Sequence, residues 1–141
     1  MRKAVFFLLF SLAFFLSCSH DGQSVKSAEG KPRAEFADSV YDFGQFSGTG
    51  DELVKTYEFW FTNAGDSALV INHVEPSCHC LTAEYTQNPV ASGEKGVVRL
   101  VYDGAENKKT THFYRTAVVY SNASNSPVTL VVEGEVVIPT E

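Results

Sequence analysis

From Ala34 onward the apolar side chains recur at every second residue, and no stretch carries a sustained period of three to four. A period of two turns one face of an extended chain inward and the other to water, so this part of the molecule is built from strands. Glu52–Thr62 is the clearest case: Tyr57, Phe59 and Phe61 share one face, Glu58, Trp60 and Thr62 the other. In Val97–Tyr102, Val98, Leu100 and Tyr102 alternate with Val97, Arg99 and Val101. Further strands are expected over Glu35–Phe43, Ala68–Val74, Leu81–Thr86, His112–Tyr120 and the valine-rich Val128–Ile138. Turn-forming residues separate them: Asn63 to Ser67, Asn88-Pro89 and Ser121 to Pro127. Asn63 and Gly65 are expected to supply positive φ there. About seven strands joined by short loops within roughly 105 residues make a β-sandwich, and the glycine kinks of a small closed barrel are missing.

The start of the chain is different. Met1-Arg2-Lys3 is basic, and Ala4–Leu16 is apolar except for Ser11. That run matches the core of a secretory signal and falls short of the ~20 residues that span a bilayer. A permanent membrane anchor is the alternative, with no second apolar segment to lengthen it. Phe15-Leu16-Ser17-Cys18 resembles a bacterial lipobox, where lipid is attached to the cysteine and the chain is cut before it. Phe15 stands where that pattern usually has Leu, and Leu16 where it usually has a small residue. Ordinary cleavage after Ser19 is the rival, with small Ser17 and Ser19 at both required sites. The expected organisation is a leader over 1–17, a lipidated Cys18 with a polar tether over 18–33, and one domain over 34–139.

Losing residues 1–17 removes Arg2 and Lys3 but no acid, so the formal charge moves from −6 to −8. Such a surface repels phosphate, which argues against nucleic acid as a partner. It also repels anionic lipid heads, so membrane attachment falls to the acyl chains on Cys18.

Several motifs now form a recognisable order. Tyr41-Asp42-Phe43-Gly44 comes first, then Phe59-Trp60-Phe61-Thr62-Asn63-Ala64-Gly65 and Leu69-Val70-Ile71 leading to Val74. Ser77-Cys78-His79-Cys80, Pro89 to Gly96, Tyr120-Ser121-Asn122 and Val131 to Val136 follow. Over about residues 34–138 the chain resembles the bacterial family known as domain of unknown function 1573, common as small secreted lipoproteins of Bacteroidota. The resemblance implies an all-β, immunoglobulin-like β-sandwich akin to the hydin and major sperm protein domains. It implies no established activity. The likeness to immunoglobulin domains is architectural, because Trp60 precedes both Cys78 and Cys80 and those two are nearly adjacent. Where the family usually has Ser-Cys-Gly-Cys-Thr, this chain has Ser77-Cys78-His79-Cys80-Leu81. Glycine bends easily between two thiols and histidine much less so.

Three readings of Cys78 and Cys80 follow. A disulfide between them needs a bend, for which Pro76 upstream is suited, and would be structural or redox-active. Alternatively, two thiolates with His79 or nearby His73 make a soft site for copper(I) or zinc. The plainest reading is two small apolar side chains near a strand end.

Other candidates are slighter. Trp60, opposite Phe59 and Phe61, is either a binding platform or a cover for the sheet. His112 is expected to be isolated, and Glu133, Glu135, Asp51 and Glu52 merely solvated. Asp38-Ser39-Val40 and Asp66-Ser67-Ala68 resemble the short O-glycosylation motif of Bacteroidota proteins. No H-E-x-x-H, G-x-S-x-G, P-loop or C-x-x-C occurs. The expectation is a non-enzymatic module of the bacterial envelope, on a membrane (the outer one) through Cys18, with its domain in the periplasm or at the surface. It binds an envelope protein or a glycan and carries no cofactor. The alternative is a thiol-redox or copper- and zinc-handling protein using the Cys-His-Cys segment.

Overall fold

A computed structural model describes residues 30–139; the leader over 1–17, Cys18 and the tether up to residue 29 lie outside the described residues. Eight strands form: β1 Ala34–Phe36, β2 Val40–Ser47, β3 Val54–Asn63, β4 Ile71–Pro76, β5 Leu81–Tyr85, β6 Lys95–Asp103, β7 Thr111–Ser121 and β8 Val128–Val137. They make two four-stranded sheets, ordered β1-β3-β6-β5 and β2-β8-β7-β4. One 3₁₀ turn, Gly50–Leu53, leads into β3, where the glutamate of the Thr49/Glu52 capping box folds back on the chain. Among the described residues no helix is long and apolar enough to cross a membrane.

The eighth strand comes from dividing the run expected over Glu35–Phe43. β1 pairs antiparallel with β3, whereas β2 pairs parallel with β8 in the opposite sheet. The transfer is complete within three residues: Ala37 N–H still donates to Trp60 O, and Ser39 O already accepts from Val131 N–H. To leave one ladder and join the other the backbone bends at Ala37–Ser39 and begins a new strand.

The interior is the one that the alternation implies. Phe59, Phe61, Val98, Leu100 and Tyr102 from one sheet meet Phe113, Ala117, Val119, Leu130, Val132 and Val136 from the other, all buried. Tyr102 and Phe113 stack across the layers with ring centroids 3.8 Å apart.

Asn63 works differently from the expectation. No described non-glycine residue has positive φ, and Gly65 does not either. Asn63 is instead fully buried at the end of β3 and acts through its amide. Its Nδ2 donates to Ser67 O and Val90 O, and its Oδ1 accepts from Gly65 N–H and Arg33 N–H. Gly65 is small for a steric reason, since a Cβ there would lie 2.3 Å from Lys31 O. The chain is thus held before Ala34: Pro32 is buried and its carbonyl accepts from Ser124 N–H.

Candidate functional site

Most of the motif residues serve the fold. Ser92 Oγ donates to Gly65 O at 2.6 Å, and Asn122 bonds both Val70 N–H and Ala68 O. The Tyr41–Gly44 and Val131–Val136 motifs, far apart in the chain, lie side by side across a bulge between Asp42 and Gln45. Gly44 is at φ +65°, and a Cβ on Gly134 would come within 2.9 Å of Gly44 O. Gly134 lets the two backbones approach, and Gly44 supplies the positive φ of the bulge.

That bulge opens a shallow groove on the outer face of the second sheet, and it corrects one expectation. His112 is not isolated: its Nε2 lies 3.0 Å from Glu135 Oε1. Nor is Glu135 merely solvated; its side chain is 14% exposed and it also accepts from Gln45 Nε2. The strand register produces this, placing Gln45, Glu135 and His112 in one cross-strand row and Asp42, Glu133 and Tyr114 in another. Sequence spacing does not reveal a row drawn from three strands.

On the other outer face Trp60 is 49% exposed. It borders an open groove of about 510 Å³ with Glu35, Phe36, Thr62 and Lys95. Nearby, Arg99 bridges Glu58 and Glu84, and these contacts hold its guanidinium above the usual arginine range. Ser39 is exposed in the β1–β2 connection, while Ser67 is half-buried with its carbonyl taken by Asn63.

The cysteine segment lies at the opposite end of the sandwich from Asn63. It connects β4 of one sheet to β5 of the other. Ser77 anchors it to β7 at Thr116, its N–H donating to the carbonyl and its Oγ accepting from the amide. Leu81 N–H donates to Cys78 O and closes a turn in which Cys78 and Cys80 are joined by a disulfide. His79 fits this bend without positive φ, so the family's glycine is not needed for it. Both sulfurs also pack against the core, and His79 is exposed. His73 is not gathered with them but stacks on Tyr120 at 4.4 Å. Among the described residues no three His, Cys, Asp or Glu side chains are grouped to hold a metal ion.

Arg115, which belongs to none of the sequence motifs, completes this end. Arg115 Nε donates to Cys80 Sγ at 3.2 Å. A cavity of about 310 Å³ opens beside the pair, lined by His79, Cys80, Asp103, Glu106 and Arg115 among others. The legible signal was a cation in the apolar phase of β7.

Comparison with known proteins places this architecture. No curated protein is detectably similar. A protein of unknown function from Porphyromonas gingivalis W83 superposes with a TM-score of 0.63 at 18% identity, over 81% of this chain and 51% of that one. The chain thus spans about half the length of that protein. The ASH/PapD-like domain 7 of human CEP192 gives 0.59 at 8% identity, over 78% and 89%. The secreted serine protease VesC of Vibrio cholerae gives 0.52 at 14% identity, over 74% and 23%. At such identities the likeness is one of fold, an immunoglobulin- or PapD-like sandwich. Residues 34–136 match the family described as protein of unknown function DUF1573, and the chain belongs to that family.

Proposed function

We propose that this protein is a lipid-tethered, non-enzymatic binding module of the bacterial envelope, presenting the outer face around Trp60 to a protein or glycan partner. The observation that carries the reading is the half-exposed Trp60 beside a groove with Glu35, Thr62 and Lys95, on a fold most of whose other motif residues serve its own structure. An indole with polar neighbours suits recognition, because it buries a large rigid area at small entropic cost. The tether reading rests on the apolar run and Ser17-Cys18, and it puts the domain on the membrane through acyl chains at Cys18. Ser39, exposed beside Asp38, is the better placed of the two serines for a glycan.

Two measurements test this. Intact mass of the mature protein is expected to show acyl chains on an amino-terminal Cys18; a free His20 terminus without them ends the tether reading. Crosslinking in the native envelope is expected to capture a partner that Trp60→Ala loses with the fold intact. Recovery of the domain alone counts against the binding role.

A second reading has its own observation. The disulfide of Cys78 and Cys80, with the Arg115 guanidinium on one of its sulfurs, suits a thiol-redox role. A cation beside sulfur favours the thiolate, which is the reactive form.

A further inference from the structure

The inward phase of β7 runs Phe113, Arg115, Ala117, Val119, and all but Arg115 are buried apolar residues. A guanidinium is always charged and is seldom turned toward an interior without a compensating partner. Arg115 has none of the usual kind. Among the described residues it forms no ion pair with a carboxylate. Its Nη1 donates to Tyr114 O at 2.9 Å, and its Nε is directed at Cys80 Sγ. Both cysteines are half-buried, but Cys80, and not Cys78, lines the cavity beside them.

We propose that Cys80 is the sulfur through which this disulfide exchanges with a partner dithiol, and that Arg115 selects it. The proposal rests on the thiol-redox reading above and assigns its two sulfurs their roles. A partner thiolate entering the cavity attacks Cys80 Sγ. The Cys78–Cys80 bond breaks, its electron pair leaves on Cys78 Sγ, and that sulfur takes a proton from water. The partner's second thiolate then attacks the partner sulfur of the mixed disulfide and releases Cys80 as a thiolate against the guanidinium. The partner dithiol has lost two electrons and become a disulfide; the protein's disulfide has gained them. In reverse, the Cys80 thiolate is the nucleophile that opens a partner's disulfide. Asp103 and Glu106 line the same cavity and oppose an anionic partner, leaving Arg115 as the attractive charge.

Location fits the role. Asn63 and Val54 are the two ends of the ten-residue strand β3, about 30 Å apart at ~3.3 Å per residue. The chain enters at the Asn63 end, where Arg33 is bound, and the disulfide sits at the Val54 end, where Cys80 O accepts from Asp103 N–H and Val54 pairs with Asp103. The exchanging sulfur therefore lies at the end of the sandwich away from the point where residues 30–33 join it.

The test uses the mature full-length protein. First, the oxidised form is treated with dithiothreitol under native conditions. The reduced form is then given limiting iodoacetamide at pH 7, and labelling of the two cysteines is compared by peptide mass spectrometry. Cys80 is expected to label about tenfold faster than Cys78, the ratio that one unit of thiol pKa produces. Arg115→Ala is expected to abolish the preference and Arg115→Lys to restore part of it, with circular dichroism unchanged. With glutathione disulfide, Cys78→Ser is expected to form the mixed disulfide faster than Cys80→Ser. Faster labelling of Cys78, or a preference that survives Arg115→Ala, overturns the assignment and leaves the redox reading standing. A disulfide that dithiothreitol does not open in the folded protein overturns the redox reading itself.

Discussion

The two ends of the sandwich use polar side chains in opposite ways. At the Asn63 end three amides are spent on backbone: Asn63 holds Arg33, Gly65, Ser67 and Val90, Asn122 holds Ala68 and Val70, and Asn125 holds Ala34. These three amides hold the loops together and are not presented to a ligand. At the Cys78–Cys80 end a guanidinium is turned onto a sulfur beside an open cavity. Residues that satisfy buried backbone are there because an unpaired buried group costs free energy, and that suffices to explain them. Arg115 has no such explanation, which makes the disulfide end the place to look for chemistry.

The largest effect is expected at the scaffold end. Asn63→Ala strands the buried partners of one amide and should cost about 3 kcal/mol in urea unfolding; a loss well under 1 kcal/mol would erase the contrast between the ends. Gly65→Ala drives a Cβ into the Lys31–Arg33 backbone. It should cost about 2 kcal/mol and expose the chain ahead of Ala34 to protease. Cutting at an unchanged rate would show that this segment is not held. At the other end, replacing Cys78 and Cys80 together by serine opens a loop of sequence separation 2. So short a loop returns little chain entropy, and the cost should stay below about 2 kcal/mol. A greater loss than Asn63→Ala would make the disulfide a structural staple.

The smallest effect is a titration. Tyr57, stacked on Tyr41 at 3.6 Å, donates its hydroxyl to Asp38. Desolvation first, and the Asp38 charge and hydrogen bond next, raise its phenol above the ordinary value of 10.0. The folded state then keeps a proton that the unfolded chain gives up. This contribution is complete below pH ~10 and is lost as pH rises through the folded value. Ultraviolet titration should follow it, with Asp38→Asn moving the transition down; an unmoved transition would exclude Asp38 as a cause.

Legibility followed locality. The faces of β3 and β6 could be read directly, because period two is a property of neighbouring residues. The division of Glu35–Phe43 between two sheets was not legible, since β8, the partner that captures β2, lies some ninety residues further on. Asn63 was recognised as a turn residue, but its action through four hydrogen bonds depends on loops that only folding gathers. For the same reason nothing local in the sequence pairs His112 with Glu135, which lies beside it in the fold.

By itself the sequence determined the class of structure, the composition of the interior and the close spacing of the two cysteines, because alternation and residue type act over a few positions. Only the tertiary structure decided which sulfur meets the cation, which end of the sandwich the disulfide occupies and which carboxylate pairs with His112. Those outcomes depend on strand register and sheet order, which long-range pairing sets.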